Sequence, residues 1–335
     1  MKRSSRLFAA LCFAANAATP GAFASEPALV GGEFEYTVRR GDTLVGIGVR
    51  YAVDPTSLAA RNGLPSNARL VAGRVLRIDD RHIVPRVLAD GILVNLPQRL
   101  LFYFESGRLA GWYPVGLGQP GTWQTPTGSY KVVGREKNPV WKVPVSIQQE
   151  MRSKGERVRA LVPPGPDNPL GRYRLRLSLE CCGIHGTNAP QSVYRFQTHG
   201  CIRLAPAHAE ELFSRVAAGL PVEIIYEPVL IARDKDGTIF LEVHPDIYGR
   251  SEDQTATADA IADGRRLPSA RESPLWQNTV RSEEGIAVRL TPPPERVGEG
   301  ERMELPDRGS FPGRPGLVLS DPGPRTAEIR ARRRG

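Results

Sequence analysis

Arg172-Tyr173-Arg174-Leu175-Arg176-Leu177-Ser178-Leu179 alternates strictly between polar and apolar side chains. A period of two matches the pleat of a β-strand, so one face of the segment is buried and the other solvated. It commits the middle of the chain to a sheet with one dry face. Its surroundings agree. Ile92 to Leu96, Leu100 to Glu105 and Leu109 to Val115 are apolar or alternating runs, and Ser106-Gly107 supplies a hairpin turn between the last two. Ser129 to Gly134 is another short strand. Pro206 opens an amphipathic helix with Ala209, Leu212, Phe213 and Val216 on one face, and Val222 to Tyr226 closes the region as a strand. The expected domain is mainly β, with one helix packed on it.

The alternating strand delivers the chain to its chemistry. Ile184-His185-Gly186-Thr187-Asn188 is followed by Thr198-His199-Gly200-Cys201-Ile202-Arg203. A thiol attacks only as thiolate, and a nearby imidazole is the usual means of making one. His185 or His199 can take the thiol proton and later give it to a leaving amine. Gly186 and Gly200 let backbone approach a substrate closely, and the N–H groups around Gly200 and Cys201 offer a site for a developing oxyanion. Arg203 is placed either to hold a carboxylate or to form a structural ion pair. Thr198 can hydrogen-bond locally and Asn188 can hold the turn. Trp141 can line a cleft or sit in the core. Cys181, Cys182, His185, His199 and Cys201 are zinc ligands by type, but the chain has neither a Cys-x-x-Cys pair nor a His-Glu-x-x-His helix. Neither a metal nor another cofactor is expected.

His185, a spacer from Gly186 to Gln197, then Thr198-His199-Gly200-Cys201 resembles the L,D-transpeptidase family of bacterial cell-wall enzymes. Thr125-Pro126-Thr127-Gly128-Ser129-Tyr130, Asn138-Pro139-Val140-Trp141 and Pro163-Pro164-Gly165-Pro166-Asp167-Asn168-Pro169-Leu170-Gly171 look like family segments, and the resemblance covers roughly residues 90–228. It implies an L,D-transpeptidase-like β-sandwich with a packed helix, a catalytic domain over residues 91–228. It also implies a reaction. Cys201 attacks the meso-diaminopimelate–D-alanine bond of a tetrapeptide donor, expels D-alanine, and passes the acyl group to an amine. That amine is a second diaminopimelate (a 3–3 cross-link) or the terminal lysine of an outer-membrane lipoprotein; water as acceptor makes the protein an L,D-carboxypeptidase. The resemblance makes His185 the base, Gly186 its orienting carbonyl, and His199 the group on the other side of the sulfur. Thr198, Gly200, Arg203, Asn188 and Trp141 then line the substrate. One position departs from the family: where an acid is common near the start of the following helix, this chain has His208, which the helix N-terminus does not favour. His82 and His244 stand outside any constellation and read as surface or packing residues.

Tyr36 to Arg39 is a short strand. Asp42 or Thr43 can cap a helix carrying Leu44, Ile47 and Tyr51, and Asp54-Pro55 starts a second helix carrying Leu58. Asn62-Gly63 ends that helix and Gly73 to Ile78 returns as a strand. This small α+β unit, strand–helix–helix–strand over residues 36–80, resembles a LysM module. The resemblance implies binding to the glycan of peptidoglycan. Two such domains on one chain point to a wall enzyme tethered to its polymer. The rival is a non-catalytic wall-binding protein, which has no need of a Cys–His pair.

Lys2, Arg3 and Arg6, the apolar stretch Leu7 to Ala18 and Ala22-Phe23-Ala24 read as a signal peptide over residues 1–24. The expected location is the periplasm, with no transmembrane segment in the mature chain. Of four cysteines Cys12 lies in that leader, leaving Cys181, Cys182 and Cys201. Three is odd, so at least one thiol stays free or pairs between molecules. Cys181 and Cys182 are expected as unpaired thiols in a strand, with a Cys182–Cys201 redox switch as the alternative. Net charge is +9 over 335 residues. Nucleic acid is not an expected partner for an exported chain; the charge reads first as generic solubilising charge, part of it in Arg330-Ala331-Arg332-Arg333-Arg334, and second as an attraction to stem-peptide carboxylates. Residues 81–90 read as a linker and 229–291 as a C-terminal extension, with Thr238 to Val243 and Ile286 to Leu290 as strands and Leu275 to Val280 as a helix. Residues 292–335, rich in Pro, Gly and charge, read as a disordered tail.

Overall fold

The computed structural model describes residues 27–251 and 253–291. The expected leader (1–24) and tail (292–335) lie outside them. Strand β1 (Ala28–Val30) precedes β2 (Glu33–Thr37), α1 (Leu44–Tyr51), α2 (Pro55–Arg61) and β3 (Val75–Asp79), and β2 pairs antiparallel with β3. Thr43 Oγ1 accepts from the Gly46 amide at the head of α1, and Asp54 Oδ1 accepts from Thr56 and Ser57 at the head of α2. Asp42 instead takes the Arg39 amide and the Tyr36 hydroxyl. Tyr36, Leu44, Ile47, Leu58, Leu76 and Ile78 bury together as the core of this unit.

The expected linker carries a strand. β4 (His82–Val84) pairs with β1, and all three of its residues are buried. The β domain follows with β5 (Gly91–Asn95), β6 (Leu100–Glu105), β7 (Arg108–Gly118) and β8 (Gly128–Lys137). An excursion then holds β9 (Trp141–Lys142), α3 (Val145–Ser153) and β10 (Leu161–Val162), before β11 (Tyr173–Leu177), β12 (Gly183–His185), β13 (Phe196–Thr198), β14 (Ile202–Leu204), α4 (Pro206–Arg215) and β15 (Pro221–Ile225). The sheet order is β13-β7-β14-β12-β11-β8-β15-β5-β6, and β6 also pairs with β7. The first half of β7 meets β6 and its far end meets β14, so the expected sandwich closes on itself like a barrel. Ser106 and Gly107 both take positive φ (51° and 71°), the hairpin turn that matches strand twist.

β11 alternates as its sequence requires: Tyr173, Leu175 and Leu177 are buried, Arg174 is half-buried and Arg176 exposed. The dry face of the sheet packs Val115, Leu175, Ile184, Ile202 and Leu204 against Ala209, Leu212 and Val216 of the α4 segment. His208 is buried there beside the Tyr113 ring, and burial pushes its imidazole down to about 4. It is a neutral core residue, which removes the conflict with the helix N-terminus.

The C-terminal extension is β16 (Val229–Arg233), β17 (Ile239–Val243), α5 (Gln254–Gly264), α6 (Pro268–Arg271), α7 (Leu275–Ser282) and β18 (Val288–Arg289). Its three-stranded sheet packs on the helices around fully buried Trp276. His82 and His244 are neither surface nor plain packing residues. Both meet Glu242, which is fully buried on β17: His244 Nε2 lies 2.7 Å and His82 Nδ1 3.4 Å from Oε1. The Ile83 amide donates to Glu242 Oε2 at 2.6 Å and Gln98 Nε2 to Oε1 at 2.9 Å. His82 Nε2 reaches the Ala52 carbonyl at 2.6 Å. One carboxylate thus joins the small α+β unit, the β domain and the extension. No helix among the described residues is long and apolar enough to cross a membrane.

Candidate active site

β12 and β14 are parallel neighbours, with Ile184 opposite Ile202 and His185 opposite Arg203. Continuing that register puts Cys201, one residue before β14, opposite Gly183. The Gly183 amide hydrogen-bonds the Cys201 sulfur. Gly183 and His185 lie two apart on β12 and so share a face. The sheet therefore brings the half-buried Cys201 thiol and the buried His185 imidazole to one side of two adjacent strands.

His185 Nδ1 lies 2.6 Å from the Gly186 carbonyl oxygen. A carbonyl only accepts, so Nδ1 carries the proton and Nε2 keeps its lone pair. Burial pushes this imidazole down to about 3; the Gly186 carbonyl opposes that, and the charges of Arg203 and Arg174 add to it. Burial also pushes the Cys201 thiol above its ordinary value, with the Gly183 amide, Arg174 and Arg203 pulling part of the way back. The resting pair is a neutral thiol beside a neutral imidazole.

Thr198, buried at the end of β13, ties the loop to itself. Its hydroxyl donates to the Cys201 carbonyl at 2.7 Å and accepts from the Gly200 amide at 3.1 Å. The Gly200 N–H is thus already engaged, which removes one expected oxyanion donor. Gly200 has φ +100°, and a Cβ there would lie 2.7 Å from the Cys182 sulfur. Cys182 is joined to Cys181 as a vicinal disulfide, in a turn before β12. The expectation of two unpaired thiols in a strand is corrected: adjacent in the chain and turned back on themselves, the two sulfurs meet. Cys201 alone is a free thiol among the described residues.

His199 turns toward the excursion. Its Nε2 is 2.7 Å from Glu150 Oε2 on α3, and its ring meets the edge of Trp123 at 4.8 Å. Lys154 first, and His199 second, hold the Glu150 carboxyl below its usual range. The aromatic at this loop is therefore Trp123. Trp141 lies half-buried on β9, at the base of the excursion. Buried Asn168 closes that base through the carbonyls of Pro139, Val162 and Pro163. Asn188 is exposed and donates to the Pro166 carbonyl at 3.3 Å, tying the loop after His185 to the same excursion. Arg203 has no carboxylate partner among the described residues, and its Nε is buried without an acceptor. Glu150 and Trp123 escaped sequence reasoning because neither carries a spacing signal.

A family model described as the L,D-transpeptidase catalytic domain, YkuD, matches residues 89–224, and a LysM domain model matches residues 36–79. The probable L,D-transpeptidase YbiS of Escherichia coli K12 is 35% identical over 173 residues, which cover 51% of this chain and 56% of that protein. The chain thus spans little more than half the length of that relative. The probable L,D-transpeptidase YcfS of the same strain is 31% identical over 225 residues, covering 66% of this chain and 70% of YcfS. The putative L,D-transpeptidase YkuD of Bacillus subtilis is 31% identical over 193 residues, covering 56% of this chain and 97% of that protein. The catalytic-domain model spans both His185 and Cys201, and the chain covers 70% of YcfS and 97% of the Bacillus protein at 31% identity, so it belongs to the L,D-transpeptidase family.

Proposed function

We propose that the protein is a peptidoglycan L,D-transpeptidase whose nucleophile is Cys201. The observation that supports this is that the register of β12 and β14 sets Cys201 and His185 on one face of adjacent strands, with the imidazole tautomer fixed by the Gly186 carbonyl. Nε2 of His185 takes the thiol proton as sulfur attacks the diaminopimelate carbonyl of a tetrapeptide stem. The same proton goes to the departing amine, D-alanine leaves, and a thioester remains on Cys201. An acceptor amine then attacks the thioester, loses its proton to His185, and the thiol is restored. The acceptor is a second stem, giving a 3–3 cross-link, or the terminal lysine of an outer-membrane lipoprotein. Arg203, half-buried beside the sulfur and without an acid partner among the described residues, holds a substrate carboxylate. Thr198 and Gly200 hold the shape of the nucleophile loop, while His199, Asn188 and Trp141 border the cleft.

The LysM unit, residues 36–80, holds the glycan while residues 91–228 carry the chemistry; 81–90 join them and 229–291 brace both. The leader over residues 1–24 exports the chain to the periplasm, where the wall lies. The test is intact-protein mass spectrometry of the mature chain with a disaccharide-tetrapeptide, beside Cys201→Ala. An adduct on Cys201 with D-alanine release supports the thioester route. Folded protein that binds sacculi yet forms no adduct, before or after reduction, rejects it in favour of a binding role.

A further inference from the structure

β11, β12 and β14 lie side by side, and their registers place Arg174 opposite His185 and His185 opposite Arg203. The row continues to Glu136 on β8 and Gly116 on β7. Directly opposed residues project to one face, so two guanidinium groups flank the imidazole on the side away from the apolar core. Strand spacing sets the Cα atoms of Arg174 and Arg203 about 10 Å apart. The next row holds Gly134, Arg176 and Gly183. The glycines make room for the arginines: a Cβ on Gly134 would fall 2.8 Å from the Arg176 guanidinium and one on Gly183 would lie 3.8 Å from Arg174 Nε, while Gly116 is covered by the Ser192 carbonyl.

The two arginines differ. Arg203 is half-buried beside Cys201, with its Nε buried and no carboxylate partner among the described residues. Arg174 is half-exposed and only 3.3 Å from Glu136 Oε2; Glu136 Oε1 holds Arg176 at 3.2 Å. Glu136 therefore keeps a cation when Arg174 swings to a ligand. The donor proposed above has two carboxylates near its scissile bond. One is the terminus of the leaving residue, and the other sits on the side chain of the acyl residue.

We propose that Arg174 determines donor specificity by binding the side-chain carboxylate of the acyl residue, while Arg203 holds the terminal carboxylate of the leaving residue. This rests on the L,D-transpeptidase reading. The enzyme thereby selects a diacidic acyl residue over its amidated or lysine counterpart.

The test compares two tetrapeptide donors, one with the free side-chain carboxylate and one with that group amidated. D-alanine release gives kcat/KM; calorimetry on the Cys201→Ala background gives affinity without turnover. The unsubstituted protein prefers the acid roughly tenfold or more, as befits one charge-assisted hydrogen bond. Arg174→Gln brings the two donors to parity by weakening only the acid, and Arg174→Lys restores part of the preference. Glu136→Gln, which frees Arg174 from its competitor, raises the preference and serves if Arg174→Gln fails to fold. Equal loss on both donors, or an unchanged preference in Arg174→Gln, overturns the proposal. Discrimination in binding that Arg174→Gln abolishes, with no D-alanine released by the unsubstituted protein, leaves Arg174 in place and removes the transpeptidase reading instead.

Discussion

Raising the pH from 5 to 10 during alkylation of Cys201 should separate a resting neutral pair from a preformed thiolate–imidazolium pair. His185 sits at about 3 and Cys201 above its ordinary 9.0. Moving the proton from sulfur to imidazole is then uphill by about 8 kcal/mol or more, at about 1.4 kcal/mol for each tenfold. Charges about 4 Å apart return about 4 kcal/mol at a partly screened site. The ion pair is left about 4 kcal/mol above the neutral pair, roughly one molecule in a thousand. The iodoacetamide rate should therefore climb about tenfold per pH unit toward pH 9, with no shoulder between pH 4 and 7. The Cys181–Cys182 disulfide does not contribute. For the same reason kcat/KM should stay level from about pH 5 to 8, with its acid limb near 3. A plateau in alkylation rate between pH 5 and 7 that disappears in His185→Ala would mean a standing ion pair, and would refute the argument from burial.

Gly200→Ala should cut D-alanine release by more than about tenfold and lower the melting temperature, because its Cβ falls 2.7 Å from the Cys182 sulfur at φ +100°; near-normal activity would show the loop to be loose. Glu242→Gln should destabilise the fold by roughly 3–5 kcal/mol in urea unfolding, since it takes the charge from a fully buried group with four polar partners. Burial alone would raise the Glu242 carboxyl, yet His244 and His82 bring it down to about 2, so its contribution is full above the ordinary 4.5 and is lost as pH falls toward 2; the unsubstituted protein should lose more stability over that window than Glu242→Gln does. Asp54→Asn keeps the cap of α2 but weakens the ion pair to Arg99, and should lower action on whole sacculi by less than about fivefold while sparing small muropeptides; equal loss on both would place the effect inside the β domain.

Features dictated by local pattern were legible in the sequence. The alternation from Arg172 gave β11 its faces, Thr43 and Asp54 cap the helices they precede, and Pro206 opens α4. The features that escaped depend on partners far along the chain. β4 hid in an apparent linker because its Ile83 amide is satisfied by Glu242, 159 residues away. α3 carries no buried residue, so no apolar stripe announces it, and its contact with the motif runs through Glu150 alone. Trp123 and Trp141 are alike as residues, and only the path of the loop between β7 and β8 sets the first against His199. The register that lines up Arg174, His185 and Arg203 follows from strand order, which one-dimensional alternation does not contain.

The same long-range bonds bear on the proposed division of labour between the LysM unit and the thiol site. A flexible linker would leave the two units to search for each other on the polymer. Here residues 82–85 of the connection are buried and 82–84 pair with β1, and the bonds cross from unit to unit. Asp54 at the head of α2 is 3.0 Å from Arg99, which also donates to the Tyr194 carbonyl at 2.9 Å and lies over the Tyr194 and Phe196 rings. Phe196 begins β13, and β13 ends at Thr198, whose hydroxyl binds the Cys201 carbonyl. Two residues before Asp54, the Ala52 carbonyl reaches His82, and through it Glu242. Either bridge alone would act as a hinge. Both bridges leave the short connection between α1 and α2, one from Ala52 and one from Asp54, and together they pin that connection to the β domain and the extension. Under the proposed function, pinning the small unit in this way would spare part of the ordering entropy that a loose tether loses on binding.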